Sequence, residues 1–282
     1  MDTASTISIP AITARDLFAR MGGANAPLIL DVRRAPAYEA DTRLIASALR
    51  LSPDDVPSLP AELTPDRDIV VYCVHGHEVS QAAARQLREM GRNASYLEGG
   101  MAGWVADSLA TIAKQPSLGV AATPSAPTRW VTRERPKVDR IACPWLVRRF
   151  VDPTAEFLYV PSDQVLNVAE REKAIPYDVP NVRLTHRGPE GELCSFDALV
   201  TDFEIDDPCV HDLARIVRGA DTGKPELTPQ SAGLLAFSLG LSATHADDHA
   251  MLAQGMIMYD ALYAWIKSAR SEVHNADLFR KG

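Results

Sequence analysis

Cysteine is scarce in this sequence of 282 residues, and its four copies are widely spaced. Cys73, Cys143, Cys194 and Cys209 include no CxxC pair, which argues against a structural zinc ribbon or a dithiol redox motif. Reduced thiols in a cytoplasmic setting are the simpler expectation. An excess of positive charge is also missing: 29 Lys and Arg against 37 Asp and Glu give a net charge of −8. Such a surface has no general attraction for phosphate backbones or anionic lipid, so neither nucleic acid nor membrane is expected as a partner. Long apolar runs are absent too, and the start MDTASTISIPAITARDLF has no basic segment followed by an apolar one. Neither a bilayer span nor export is expected. No glycine-rich dinucleotide fingerprint appears, which disfavours flavin or nicotinamide chemistry.

What is present is an apolar fraction of 46% in a chain long enough for two cores. From Ala11 to Trp104, short strand-like runs alternate with helix-like runs, the pattern of a parallel sheet covered by helices. Leu28 to Val32 and Ile69 to Cys73 are continuous apolar runs rich in β-branched residues, as central strands buried on both faces require. Ser80 to Met90 then places Ala83, Ala84, Leu87 and Met90 at helical spacing, and Gly91 stops the helix. Between 113 and 128 the segment AKQPSLGVAATPSAPT, rich in Pro, Ala, Ser and Thr, reads as an exposed linker. Residues 1–112 and 129–282 are the two expected domains, an α/β unit followed by a helix-rich α+β unit. In the second, strands are predicted around Trp130 and from Phe157 to Val160. Helices are predicted from Pro144, from Cys209 to Arg218, from Ala232 to Leu239 and from Asp248 to Arg270.

The segment Cys73-Val74-His75-Gly76-His77-Glu78-Val79-Ser80 lies between a buried strand and a helix. There, successive backbone N–H groups and the helix N-terminus converge on one side chain and favour a thiolate. Such a thiolate attacks a sulfane sulfur to become a persulfide, and the same amides hold the anionic oxygens of a donor such as thiosulfate. A cysteine that merely ends an apolar strand is the competing reading, but the glycine three residues on and the following helix favour the nucleophile.

These segments, LILDVR, VVYCVHGHEVSQAAARQL and YLEGGMAGW, resemble the single-domain rhodanese family over roughly residues 7 to 112. The resemblance implies a rhodanese-like fold, Cys73 as the sulfur-accepting residue, the amides of Val74, His75, Gly76, His77 and Glu78 as the anion cradle, and Asp31 and Arg33 as a supporting strand-end pair. It requires no cofactor for sulfur transfer. Two departures stand out. Glu78 occupies a place where the family often has arginine, and Thr42 to Ser47 replaces the usual histidine-isoleucine-proline-glycine-alanine stretch. A carboxylate at Glu78 is expected to raise the thiol pKa and repel thiosulfate, with a protonated His75 or His77 acting oppositely.

Residues 129 to 149 hold seven Lys or Arg against two acids. Arg133, Lys137 and Arg140, together with Arg129, precede a predicted helix start and are candidates for a small oxyanion, although an ordinary solvated charged face has the same composition. His245 and His249 stand four residues apart with Asp247 and Asp248 between them, a spacing that permits a metal but equally marks a helix N-terminus. His186 and Cys194 flank a predicted turn and join the same candidate metal set.

Residues 129 to 270 resemble the C-terminal domain of the chromate-resistance ChrB family through RWVTRERPKVDRIACPWLVRRFVDPTAEFLYVP, IVRGADT and DDHAMLAQGMIMYDALYAW. The resemblance implies a role in bacterial resistance to chromate without naming a reaction. The combined expectation is an oxyanion-stress protein with sulfur transfer through a Cys73 persulfide, served by a sulfane donor and a thiol acceptor. A chromate- or metal-sensing protein with a silent or redox-responsive first domain is the alternative, and chromate reduction ranks last. The long apolar helices near the C-terminus permit a homodimer.

Overall fold

A computed structural model of the chain describes residues 9–63, 66–118, 120 and 122–272. Residues 1–8, part of the start read above for export, lie outside them, as do residues 273–282 of the second expected domain and 119 and 121 of the expected linker.

The apolar runs of the first half form a five-stranded parallel sheet. Its elements in chain order are β1 (Ala11–Ile12), α1 (Ala14–Arg20), β2 (Leu28–Asp31), α2 (Ala35–Ala40), β3 (Arg43–Ile45), β4 (Leu49–Arg50), β5 (Ile69–Tyr72), α3 (Glu78–Glu89), β6 (Ala94–Leu97), α4 (Gly100–Ala106) and β7 (Thr111–Ala113). The sheet order is β1-β6-β5-β2-β4, and β3 and β7 pair antiparallel beside it. Every residue of β2 and β5 is buried, which is why these strands read as continuous apolar runs and not as alternating ones. Ile29, Val70, Tyr72 and Leu97 face one side of the sheet. Leu28, Leu30, Val71 and Cys73 face the other, where Ala83, Ala84 and Leu87 of α3 cover them. Each such buried aliphatic side chain contributes about 1.5–3 kcal/mol of transfer free energy.

The second half places β8 (Arg129–Arg133) between β9 (Glu156–Val160) and β10 (Ile175–Pro176) in a small parallel sheet. Around it lie α5 (Asp139–Leu146), α6 (Val165–Glu172), α7 (Ser195–Asp202), α8 (Pro208–Asp221), α9 (Ser231–Thr244) and α10 (Asp248–Ala264), the last continued by a π-turn over Trp265–Ala269. The parallel sheet with flanking helices and the helix-rich second half match the expected fold classes.

Three sequence expectations are corrected. Pro144 does not open its helix; α5 begins at Asp139 and carries Pro144 inside it. A proline there has no N–H for the carbonyl four residues back, and that carbonyl, on Arg140, accepts a hydrogen bond from Tyr177 Oη at 3.4 Å. The segment after Ala113 is not an exposed tether. Ala113 N donates to Phe203 O at 2.7 Å, Lys114 N to Thr42 O at 2.8 Å, and Arg50 N to Ala122 O at 3.0 Å, so it is laced to both halves. Finally, the four-residue spacing of His245 and His249 does not put both on one helix face: His245 ends α9, and α10 starts at Asp248, as predicted.

The two sheets share one contiguous apolar core, which runs from Ile29, Val70 and Trp104 to Trp130, Trp145 and Tyr263. Ser47 N donates to Phe150 O at 2.6 Å, and Lys267 Nζ donates to Phe18 O at 2.6 Å and Met21 O at 3.2 Å. The stretch from Thr42 to Ser47, where the first half departs from its family's pattern, is thus the strand and turn on which the second half docks.

Candidate functional site

Cys73 follows the last residue of β5, at the carboxyl end of a central strand, where ligands gather in open parallel sheets. Its thiol is buried, and the loop after it is shaped so that carbonyls point away and amides point inward. Met101 N takes Cys73 O and Ala102 N takes Val74 O, each at 2.9 Å. Gln81 Nε2 takes Gly76 O at 3.2 Å, and Gln81 N takes His77 O at 3.1 Å. The N–H groups of Ser80, His75 and His77 are left to face Cys73 Sγ, and Ser80 Oγ lies 3.2 Å from it. Burial pushes the thiol pKa up, but the Ser80 hydroxyl and the three amides outweigh it, and the net shift is downward.

Two glycines make this loop fit. Gly76 and Gly100 both have positive φ, +71° and +56°. A Cβ on Gly76 would overlap Leu97 O, and one on Gly100 would overlap Cys73 O and come within 2.6 Å of Gly76 N. The turn before α4 is therefore pressed directly against the cysteine loop.

Glu78 is exposed as the first residue of α3, where an acid suits the helix dipole, and the largest influences on the Cys73 thiol are its burial, Ser80 and the amides of His75 and His77, which together move it down and not up as the Glu78 carboxylate was expected to do. His75 and His77 are exposed on the loop with ring centroids 6.0 Å apart. Asp31 and Arg33 are not part of the cradle. They form a fully buried ion pair, Arg33 Nη2 to Asp31 Oδ2 at 2.6 Å, with Tyr72 Oη donating to Asp31 at 3.0 Å, on the face of the sheet opposite Cys73. Ser80 is the contributor that sequence reading missed; its only signal was a helix starting seven residues after the cysteine.

In the second half the basic residues do not assemble an anion site. Arg133 Nη2 and Arg140 Nε both bind Asp178 Oδ2, at 2.8 and 3.2 Å, while Lys137 is exposed. Arg129 pairs with Glu156 at 3.0 Å. The composition of residues 129–149 was locally basic, but Arg129, Arg133, Arg135, Arg140 and Arg149 are matched by acids from other elements, and Arg148 lies over the Phe157 ring. The His245, His249 and Asp248 set is also dispersed. His245 Nδ1 lies 3.2 Å from Leu241 O at the end of α9, His249 packs on the Tyr159 ring, and Asp248 Oδ2 accepts from Arg135 N at 3.1 Å. None of the three joins a metal-capable group among the described residues. His186 and Cys194 do converge, on Asp139 of the first turn of α5, Asp178 and Asp221 at the end of α8.

Residues 13–107 match the family model of the Rhodanese-like domain, and residues 130–266 match that of ChrB, C-terminal domain. A protein of Allochromatium vinosum named Sulfurtransferase is 30% identical over 104 residues, which are 37% of this chain and 95% of that protein. The chain belongs to the rhodanese-like family and carries a ChrB C-terminal domain. Protein ChrB of Cupriavidus metallidurans is 31% identical over 143 residues, 50% of this chain, and the chain spans 42% of the length of that protein. A rhodanese-related protein of known structure from Thermoplasma volcanium is similar over 37% of this chain and 98% of its own, at 27% identity and a TM-score of 0.32. Among the described residues of the rhodanese-like domain and its ChrB-type partner, no helix is long and apolar enough to cross a membrane.

Proposed function

We propose that the rhodanese-like domain transfers sulfur through a persulfide on Cys73, in a protein that serves resistance to chromate or a related oxyanion. The observation that supports this reading is the ring of donors on Cys73 Sγ: the Ser80 hydroxyl and the amides of Ser80, His75 and His77 hold the thiol below its ordinary pKa. The Cys73 thiolate attacks the outer sulfur of thiosulfate. The S–S bond of the donor breaks, sulfite leaves with the electron pair, and Cys73 carries the new S–S bond. The loop amides stabilise the anion during this exchange. An acceptor thiolate then attacks the outer sulfur, and Cys73 leaves as thiolate.

The acceptor is a small diffusible thiol. Burial pushes the thiols of Cys143, Cys194 and Cys209 up, so none of these cysteines of the ChrB C-terminal domain is poised as a thiolate. All four cysteines are free, which suits a reducing, cytoplasmic setting.

Intact-protein mass spectrometry after incubation with thiosulfate or another sulfane donor tests the reading. A gain of one sulfur by the native chain, absent in Cys73→Ser, is expected. A folded, reduced native chain that gains no sulfur from any donor would transfer the assignment to a chromate- or metal-binding protein with a silent rhodanese-like domain.

A further inference from the structure

Five side chains of the ChrB C-terminal domain form two adjoining groups of donor atoms that share Asp139. His186 Nε2 lies 3.1 Å from Asp221 Oδ2, 3.6 Å from Asp139 Oδ2 and 3.6 Å from Asp178 Oδ1. Cys194 Sγ and a carboxylate oxygen from each of Asp139 and Asp221 lie within 4.8 Å of one another. Donors about 2.0–2.2 Å from a shared octahedral or tetrahedral ion are themselves about 2.8–3.6 Å apart, and the three distances from His186 fall in that range.

The orientation of each donor supports the same reading. His186 Nδ1 lies 3.3 Å from Gly191 O. A carbonyl only accepts, so that nitrogen carries a hydrogen, and Nε2 faces the acids; in the metal-free chain Nε2 is protonated too, the hydrogen bonds to Asp139 and Asp221 pushing the His186 pKa up to about 11, and a bound metal would take the place of that proton. Asp139 Oδ2 accepts from Ser195 N at 3.2 Å. Asp178 Oδ1 accepts from Ser195 Oγ at 2.9 Å, and its other oxygen is held by Arg133 and Arg140. That proton gives Nε2 one N–H, which cannot satisfy three carboxylates at once. The two arginines compensate Asp178 alone, and the ion pairs of Asp139 and Asp221 among the described residues are with His186.

We propose that Asp139, Asp178 and His186 bind a divalent first-row transition metal, with Asp221 and the Cys194 thiol at the edge of its coordination shell. The donor set is anionic and mixes oxygen, nitrogen and sulfur, so it selects a borderline cation and repels chromate. The site is independent of the Cys73 chemistry.

Chelator-treated full-length chain, native and Cys73→Ser, is titrated with Co²⁺ by visible absorbance and with Zn²⁺ by calorimetry. The Cys73→Ser chain removes the rhodanese loop as a source of binding. One equivalent bound by both chains is expected. His186→Gln and Asp139→Asn, folded by circular dichroism, should weaken binding by about 100-fold or more, and His245→Ala should leave it unchanged. Loss of a sulfur-to-cobalt charge-transfer band in Cys194→Ser would place the thiol on the metal; its persistence would overturn that part of the ligand set. The site itself is overturned if the folded native chain shows no saturable binding of either ion below millimolar. Equal weakening by His245→Ala and His186→Gln would also overturn it. The native titration decides the matter if the buried variants do not fold.

Discussion

Ser80 lies in the first turn of α3, and its hydroxyl is within reach of both Cys73 Sγ and His77 O, each at 3.2 Å. Its single hydrogen goes to one of them at a time, to His77 O while Cys73 is a thiol that can itself donate, and to the sulfur once Cys73 is a thiolate. Ser80→Ala should keep the fold but raise the pH at which Cys73 becomes reactive. Alkylation by iodoacetamide, followed against pH, should show its inflection below that of an ordinary thiol in the native chain and a higher one in Ser80→Ala. The sign for stability follows from the same shift. A depressed thiol pKa contributes stability above the unfolded-state pKa, and that contribution is lost as pH falls through the folded value. Cys73 itself was legible because a cysteine that ends an apolar run before a helix is unusual. Ser80 was not, because a serine in a first helical turn has a dozen ordinary uses. Glu78→Arg should move the alkylation inflection less than Ser80→Ala does, since Glu78 is exposed and screened by solvent whereas Ser80 touches the sulfur; a shift as large as that of Ser80→Ala would contradict this.

The meeting of two turns governs the site at the scale of elements. Gly100→Ala would place a methyl group against Cys73 O and Gly76 N in a backbone at φ +56°, whereas Gly91→Ala, at φ +79°, meets open space. Both lose a glycine's tolerance of positive φ, at about 1 kcal/mol, but only Gly100→Ala must also push two backbones apart. Urea unfolding should show Gly91→Ala costing about 1 kcal/mol and Gly100→Ala costing several times as much. The strands and helices of the first half were visible in the sequence because burial on both faces leaves an unbroken apolar run. Elements fixed by tertiary partners were not. Pro144 reads as a helix start by local preference, but Tyr177 supplies the donor that lets α5 continue through it. The cation cluster at His186 likewise draws on residues from 139 to 221, which no local spacing connects.

The whole molecule is organised around the shared core. Trp145 is fully buried, donates from Nε1 to Asp260 at 2.8 Å and packs on Phe150, Tyr259 and Tyr263. Tyr263 in turn fills the space above Gly22 of the rhodanese-like domain. Trp145→Ala should cost about 3–5 kcal/mol and, because the aromatic group continues into the first half, accelerate hydrogen exchange in β2 and β5 together with α10. Faster exchange confined to the ChrB C-terminal domain would show that the two halves unfold separately. Phe237 and Ile257 stand exposed on α9 and α10.

Lys267 reaches back to Met21 across 246 positions of sequence. On a ribosome adding about 5–20 residues per second, α1 and the loop after it wait roughly 12–50 s for the helix that closes over them. Throughout that interval the nascent rhodanese-like domain has its active loop but lacks part of its cover. Chains released early therefore present Phe18 and Met21 to proteases and to holdase chaperones, and completion of the last helix is the step that withdraws them.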